Sequence, residues 1–175
     1  MNLIKKFFLI FFLLSLSINT LQAEDKVSYI NIDFVLTKTL AGQSLLNALK
    51  KEENLKINKF KASDDSFKNE KIKILAKKNL ISKEEINKEL KILQDKYQKY
   101  KEKKINEVEE LKVKKNKNIM NFLNLINPII EKYMSDNSIY MLIDKKNVFI
   151  AKKEYDITNK LIELIDNQIK TIEIE

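Results

Sequence analysis

The sequence predicts an α+β fold that is mostly helical, with a long antiparallel helical hairpin projecting from a small β-body. The first observation is composition: the 175 residues include one glycine and one proline. So few chain-breaking residues disfavour an all-β fold with many tight turns and favour long helices. The second observation is that strand-like segments lie near both ends of the chain. The third is a helix-start signal near its middle, at Ser82.

Composition also excludes several classes of function. Without histidine or cysteine, the chain cannot form a Ser-His-Asp triad, a cysteine nucleophile or the usual zinc site. One glycine cannot build a glycine-rich phosphate loop. Asp33, Asp144 and Asp156 are the acidic residues outside the helical hairpin with distinctive positions, and capping or turn formation explains each. We therefore predict that the protein is not an enzyme and has no catalytic, cofactor-binding or metal-binding residues.

Residues 1–23 have the features of a secretory signal peptide. Lys5 and Lys6 precede an almost unbroken apolar run at 7–16, and the small residue Ala23 marks the expected cleavage point. The run is about ten residues, whereas a spanning helix needs roughly 20. An uncleaved N-terminal anchor is the alternative. The mature chain, 24–175, has 31 lysines against 25 acidic residues and a net charge of +6.

The N-terminal end of the mature chain predicts a strand followed by a short helix. Residues 27–32 alternate loosely and are rich in strand-forming residues. Asp33 is suited to cap a short helix that ends at Lys38.

The centre of the chain predicts the helical hairpin. From 41 to 78 there is no proline and no glycine after Gly42. Ser82 and Glu85 form a capping box that starts a second helix, which we expect to run to about Asn127 or, with a kink through Pro128, to Met134. Two long helices joined by about four residues form an antiparallel pair with its tip near 79–82. Each arm helix can reach roughly 55 Å or more.

The expected seam between the two helices is poorly apolar. Heptad spacing of apolar residues is interrupted at Glu53 in the first helix and at Lys104 in the second, and becomes continuous only at 119–133. We therefore expect arms that are held weakly in their distal half and strongly near 119–133, and that can bend or splay.

The C-terminal end predicts two more strands and a helix. Residues 139–143 and 148–151 are strand-like and are joined by a short loop at 144–147. Asp156 is suited to cap the last helix. A base this small is marginally stable alone and favours oligomerisation. The apolar residues expected in the body core and at its assembly surface are Ile30, Ile32, Leu142, Val148, Phe149 and Ile150.

This order of segments resembles the Skp/OmpH family of periplasmic chaperones. The resemblance covers the whole mature chain and is strongest toward the C-terminus. The N-terminal match lies at 27–31, with Val35, Leu36 and Gly42 after it. The C-terminal matches lie at 126–132, 139–145, 148–151 and 155–158.

The resemblance implies a trimeric, jellyfish-like assembly. Strands of three chains would form the β-body, from 24–40 and 128–175, and hairpins at 41–127 would hang from it like tentacles. The cavity between the arms would hold unfolded outer-membrane β-barrel proteins in the periplasm without ATP. Four aromatic residues, Phe60, Phe67, Tyr97 and Tyr100, would contact such a client or seal the hairpin seam, and their heptad spacing favours the seam.

Positive charge suggests a second role for the arms. The cluster formed by Lys112, Lys114, Lys115 and Lys117 would help to attract acidic clients electrostatically. The alternative hypothesis is an exported basic coiled-coil protein that binds anionic surfaces, such as lipopolysaccharide or phospholipid, or acts as a spacer. Strands at both ends and the broken seam disfavour the spacer. No nucleic-acid partner is expected, because arginine and an aromatic-lined basic groove are absent from the pattern.

Overall fold

The computed structural model describes residues 26–174, so the predicted signal peptide at 1–23 lies outside the described residues. The described chain is mostly helical. Its strands are β1 (Lys26–Ile30) and β2 (Ile139–Asp144), and its helices are α1 (Ile32–Lys38), α2 (Leu40–Ala76), α3 (Lys83–Asp136) and α4 (Thr158–Gln168). Short 3₁₀ turns occupy Lys77–Asn79, Lys145–Asn147 and Lys153–Tyr155. None of the helices within 26–174 combines the length and apolar character needed to cross a membrane.

Helix α1 begins two residues earlier than the sequence predicts. Asn31, not Asp33, is the capping residue: it has an extended backbone, and its side chain accepts a hydrogen bond from the Phe34 N–H at 3.0 Å. An N-cap must precede the first helical residue, and Asp33 already lies inside the helix. Its carboxylate there interacts favourably with the positive end of the helix dipole.

The single glycine lies where α1 meets α2. Thr39 separates the two helices and caps α2, because its hydroxyl accepts a hydrogen bond from the Gly42 N–H at 3.1 Å. A Cβ at position 42 would overlap the Leu36 carbonyl oxygen and lie 2.7 Å from the carbonyl carbon. Gly42 is therefore needed for close approach between the two helices, not for a positive φ angle.

The two strands form a parallel sheet at the base of the hairpin. Val27 pairs with Met141 and Ile30 with Asp144. The hairpin is thus one long crossover between neighbouring strands. The other side of β1 is bridged by the start of the last helical segment, where the Ile157 N–H donates to the Tyr29 carbonyl at 3.1 Å.

The predicted strand at 148–151 is wrong for the described chain. The Asp144 side chain accepts a hydrogen bond from the Lys146 N–H at 3.2 Å, and the Val148 N–H bonds to the Lys145 carbonyl at 3.0 Å. These bonds close a 3₁₀ turn instead of a hairpin loop. The segment after it therefore does not pair with β2, although its residues have high strand propensity.

The main core joins both ends of the chain to the base of the hairpin. Its fully buried apolar residues come from α1, the first turns of α2, the last third of α3, and α4: Val35, Ala41, Leu45, Phe122, Ile126, Leu161 and Ile165. Among the predicted body residues, Ile30 is buried in this core, and Ile32 and Leu142 pack against it.

Phe149 and Ile150 are not part of the core. They are 102% and 85% exposed, and Val148 is only half-buried. Their alternative role in the core of their own chain is therefore wrong, whereas their expected role in assembly stays a prediction.

The tip of the hairpin follows the predicted capping box. The Ser82 hydroxyl accepts from the Glu85 N–H at 3.2 Å, and the Glu85 carboxylate accepts from the Ser82 N–H at 3.1 Å. The tip has its own apolar cluster of Ile74, Ile86 and Leu93. The expectation that the whole distal half is weakly held is therefore wrong for the tip.

α3 continues through Pro128 to Asp136, past Asn127 and close to the longer of its two expected ends. Pro128 is exposed, so the Asn124 carbonyl that loses its helical partner lies on the solvent side, where a helix tolerates the loss. Asp156 is not the N-cap of α4. Ile157 has that place, and the Asp156 carboxylate accepts from the Thr158 N–H at 3.1 Å.

Candidate functional site

The seam between α2 and α3 has three zones. The base and the tip are closed by apolar clusters, whereas the middle is closed mainly by ion pairs between the helices. The ion pairs of the middle zone, ordered from base to tip, are Glu52–Lys114 at 2.9 Å, Lys56–Glu107 at 3.3 Å and Asp64–Lys104 at 2.7 Å. Two further pairs between the helices, Glu70–Lys96 at 3.8 Å and Lys77–Glu89 at 2.9 Å, lie nearer the tip.

Sequence reasoning missed these cross-helix pairs. Lys114 has the i,i+4 spacing from Glu110 that favours a pair within one helix, but it instead contacts Glu52 on the opposite helix. A signal was present: in an antiparallel hairpin the two residue numbers of each facing pair add to nearly the same total, and these pairs do so. Applying that rule to the acidic residues and lysines on both sides of the tip would have found these pairs.

Glu107 is the centre of the ionic middle zone. Its side chain is 14% exposed and lies within 3.3 Å of Lys56, 3.7 Å of Lys59 and 3.9 Å of Lys103. Burial raises the pKa of the Glu107 carboxyl, but the contact with Lys56 and the charges of Lys59 and Lys103 together lower it below its usual value. Glu107 therefore stays ionised and holds three lysines from both helices together.

A second charged contact adjoins the aromatic part of the seam. The hydrogen bond from Lys104 lowers the pKa of Asp64 and raises the pKa of Lys104 itself. The Tyr100 hydroxyl donates to the Phe60 carbonyl at 3.0 Å. Burial and the nearby Asp64 charge raise the pKa of Tyr100, so this phenol remains a hydrogen-bond donor at neutral pH.

The four predicted aromatic residues lie together between the helices. The ring centroid of Phe67 is 5.2 Å from that of Tyr97 and 5.1 Å from that of Tyr100. Phe60 is buried, and the Lys104 ammonium lies 5.4 Å from its ring centroid. This placement favours the role of sealing the hairpin seam over that of contacting a client. Tyr97 alone among the four counts as an exposed side chain.

A groove of about 930 Å³ runs along the ionic middle of the hairpin. Two half-exposed residues, Ile57 at 51% and Val108 at 50%, lie in its apolar floor. The other floor residues are Leu46, Leu49, Phe60 and Leu111. The charged lining consists of Lys50, Lys61, Lys104, Lys112, Lys114, Lys115, Glu52, Glu53, Asp64 and Asp65. An apolar floor with six lysines and four acidic residues around it suits an amphipathic ligand.

Three residues of the predicted lysine cluster line this groove. Lys114 pairs with Glu52, and Lys112 lies 3.7 Å from Glu109 on its own helix. Lys115 lines the groove without forming an ion pair to a described residue. Lys117 follows on the same helix and is not part of the lining. The four lysines therefore do not form one separate patch.

Asp144 and Asp156, like Asp33 in the first turn of α1, have structural surroundings. Asp144 closes the turn after β2 and pairs with Lys146 at 3.2 Å, and Asp156 pairs with Lys145 at 3.5 Å. Burial raises the pKa of Asp156, but hydrogen bonds from Thr158 and the Lys145 charge lower it below its usual value. No group of acidic side chains within 26–174 is arranged to hold a metal ion.

Exposed apolar side chains occur on β2 and in the segment that follows it. β2 pairs with β1 on one side only among the described strands. Tyr140 and Met141 on β2 and Phe149 and Ile150 after it are all exposed. Such a concentration beside an open strand edge is typical of an interaction surface.

Comparisons with known proteins agree with this fold. The sequence profile of the family "Outer membrane protein (OmpH-like)" matches residues 26–165. No curated protein sequence matches the chain. The crystal structure of a Caulobacter crescentus CB15 protein, named as an OmpH-like outer membrane chaperone candidate, is similar with a TM-score of 0.77 and 20% identity, covering 85% of this chain and 88% of that one. The profile spans most of the chain, which therefore belongs to the OmpH-like outer membrane protein family.

Proposed function

We propose that this protein is an ATP-independent holdase chaperone of the periplasm. It binds unfolded outer-membrane β-barrel proteins between its helical arms and prevents their aggregation. Family membership and the likeness to the Caulobacter protein named as a chaperone candidate support this proposal. The observation that carries it is the arm itself, whose exposed apolar residues lie far from the core.

These apolar residues occur singly along both helices and at the turn between them. They are separated by lysines and acidic residues, and each adds little contact area: Leu55, Ile57, Ile72, Leu75, Leu80, Ile92, Ile105, Val108 and Val113. Burying an aliphatic side chain contributes about 1.5–3 kcal/mol at most, and less for a partial contact. Many weak contacts of this kind retain an unfolded chain collectively but can be lost one at a time. Release therefore needs no ATP.

The working form is proposed to be a homotrimer. The body formed by 24–40 and 128–175 holds three hairpins, at 41–127, around a shared cavity. The exposed surface containing Phe149 and Ile150 beside the open edge of β2 supplies the apolar contact between chains. The exported chain is cleaved near Ala23 and acts in the periplasm.

Electrostatic attraction assists client capture in this proposal. Each mature chain has a net charge of +6, so a trimer has +18. A field of this sign accelerates the encounter with acidic unfolded barrels and is weakened by salt. Contact with an anionic membrane surface or lipopolysaccharide is secondary.

An aggregation assay tests this function directly. A urea-unfolded outer-membrane barrel is diluted into buffer with mature protein 24–175, with and without ATP, and light scattering is followed. The proposal predicts that the protein suppresses aggregation equally with and without ATP. Unsuppressed aggregation at a molar excess of trimer, together with tight binding to anionic vesicles, would favour the surface-binding alternative.

A further inference from the structure

We propose that the groove in the middle of each hairpin is a binding site in its own right. It takes one extended segment of an unfolded polypeptide, with apolar side chains on the floor and carboxylates against the lysines. This inference deepens the proposed function and rests on it, because it places part of the client within a single hairpin, not only in the cavity that three hairpins share.

The apolar floor has exposed surface that a bound segment can cover. Leu49 and Phe60 are buried in the seam, while Ile57 and Val108 stand half-exposed beside them. Covering the exposed halves of these two side chains is favourable, because apolar surface is removed from water.

The charges of the groove favour an acidic occupant. Six lysines face four acidic residues, and two of those acids, Glu52 and Asp64, are already held by Lys114 and Lys104. Lys50, Lys61 and Lys115 form no ion pair with any described residue. These three lysines can therefore pair with carboxylates of a bound segment, although Glu53 and Asp65 also line the groove.

The length of the groove matches one strand of an outer-membrane barrel. Its lining on α2 runs from Leu46 to Asp65, about 28 Å at 1.5 Å per residue. An extended chain covers that distance in about eight residues, and a membrane-spanning strand has about 9–11. Barrel strands alternate apolar and polar side chains, so one face of such a segment suits the floor.

Peptide binding to mature protein 24–175 tests the floor. The probe is a fluorescent ten-residue peptide in which valine or leucine alternates with aspartate or serine. Ile57→Ser with Val108→Ser should weaken binding by about tenfold, because two apolar contacts are lost. The matched control is Met120→Ser with Leu125→Ser, since these residues are 56% and 48% exposed, lie outside the groove and are not among the arm contacts named above. The control should retain wild-type affinity, and equal losses in both variants would overturn the inference.

Two double variants with the same net charge test whether the groove lysines attract an acidic peptide. Glu52→Gln with Asp64→Asn releases Lys114 and Lys104 at the groove, whereas Glu70→Gln with Glu89→Gln releases Lys96 and Lys77 nearer the tip. Both double variants gain two positive charges. The groove variant should bind the peptide several-fold more tightly than the tip variant at low salt, and indistinguishable affinities would contradict the inference.

Disulfide trapping locates the peptide without removing any part of the floor. The natural chain has no cysteine, so single cysteines can be introduced at Ile57→Cys or Leu55→Cys. A cysteine-bearing peptide should cross-link through position 57 much faster than through position 55. Equal rates would overturn the inference and place the peptide on another surface. A floor variant that changes the mass of the protein but not its affinity for the peptide would also overturn it, and would assign the groove to contact with a second copy of the chain.

The aggregation assay on the same variants separates the two proposals. If wild-type protein suppresses aggregation but binds the peptide outside the groove, the inference fails and the chaperone function stands. If the peptide binds in the groove while aggregation is not suppressed, the chaperone function fails and the groove stands as a peptide-binding site.

Discussion

Glu107 makes the stability of the hairpin depend on pH. Three lysines from both helices surround its carboxylate, and their combined effect keeps its pKa below the usual value of 4.5. A lowered pKa in the folded state means that the ionised form stabilises the fold. That contribution is complete above the usual pKa and is lost as the pH falls through the lowered one.

We predict that Glu107→Gln lowers the melting temperature at pH 7, because three lysines then repel one another without a counter-charge. The difference from wild type should shrink below about pH 4.5 and disappear at more acidic pH, where Glu107 is protonated in both states. Circular dichroism melting across pH measures this. Glu109→Gln is the control, since Glu109 contacts Lys112 in an exposed pair that adds little. A pH-independent difference would contradict the role assigned to Glu107.

Gly42 makes a separate prediction at the same scale. Gly42→Ala should reduce the free energy of unfolding by about 1–3 kcal/mol, because a Cβ has no space beside the Leu36 carbonyl. On an open helix face the same change would be stabilising. Urea unfolding monitored by circular dichroism measures the effect, with Asn47→Ala, at an exposed position of the same helix, as the control. An unchanged or higher midpoint for Gly42→Ala would show that the helix junction is looser than described.

At the scale of elements, the hairpin is closed by different forces along its length. Apolar clusters close the base and the tip, and ion pairs hold the two helices together in the middle. Salt shortens the range of electrostatic attraction but strengthens burial of apolar surface. The middle is therefore the zone in which the helices separate most readily.

We predict that raising the salt concentration from low to about 1 M speeds amide hydrogen exchange most in 52–64 and 104–114. The base helix segment 119–133 should change little, and it serves as the internal control. Exchange measured by mass spectrometry resolves these segments. A uniform response along the hairpin would contradict the division into ionic and apolar zones.

Local signals in the sequence were sufficient to predict that each helix exists, but not where every helix begins and ends. The capping box at Ser82 and Glu85 places the start of α3 correctly, because both partners lie within one turn of chain. The cap of α1 was misplaced by two residues, since Asn31 and Asp33 are both good capping residues. Of the two ends expected for α3, the later one is close to the structure, because burial of Ile129 and Ile130 in the base core outweighs the cost of Pro128.

The sequence was a poor guide where structure depends on distant partners. Residues 148–151 have strand propensity, but a strand also needs a neighbour, and the turn at 145–147 removes the expected one. The ion pairs between the helices at the candidate groove were missed for the same reason. Lys104 and Asp64 are 40 residues apart, so their contact depends on the register of the hairpin and not on local spacing.

At the scale of the whole molecule, Phe149 distinguishes assembly from folding. Its side chain is fully exposed in the single chain, so Phe149→Asp should leave the monomer folded but abolish the proposed trimer. Light scattering gives the mass and circular dichroism gives the helical content. Leu80→Asp, at the exposed arm tip, is the control and should stay trimeric. A Phe149→Asp protein with the mass and melting temperature of wild type would contradict the assembly surface.

The central claim is that a homotrimer of mature chains holds one unfolded outer-membrane protein. The most direct test is the light-scattering mass of 24–175, alone and after a urea-unfolded barrel is diluted into it. The account predicts a trimer that becomes a soluble complex of three chains and one client. A dimer or an elongated monomer that leaves the client to aggregate would contradict it.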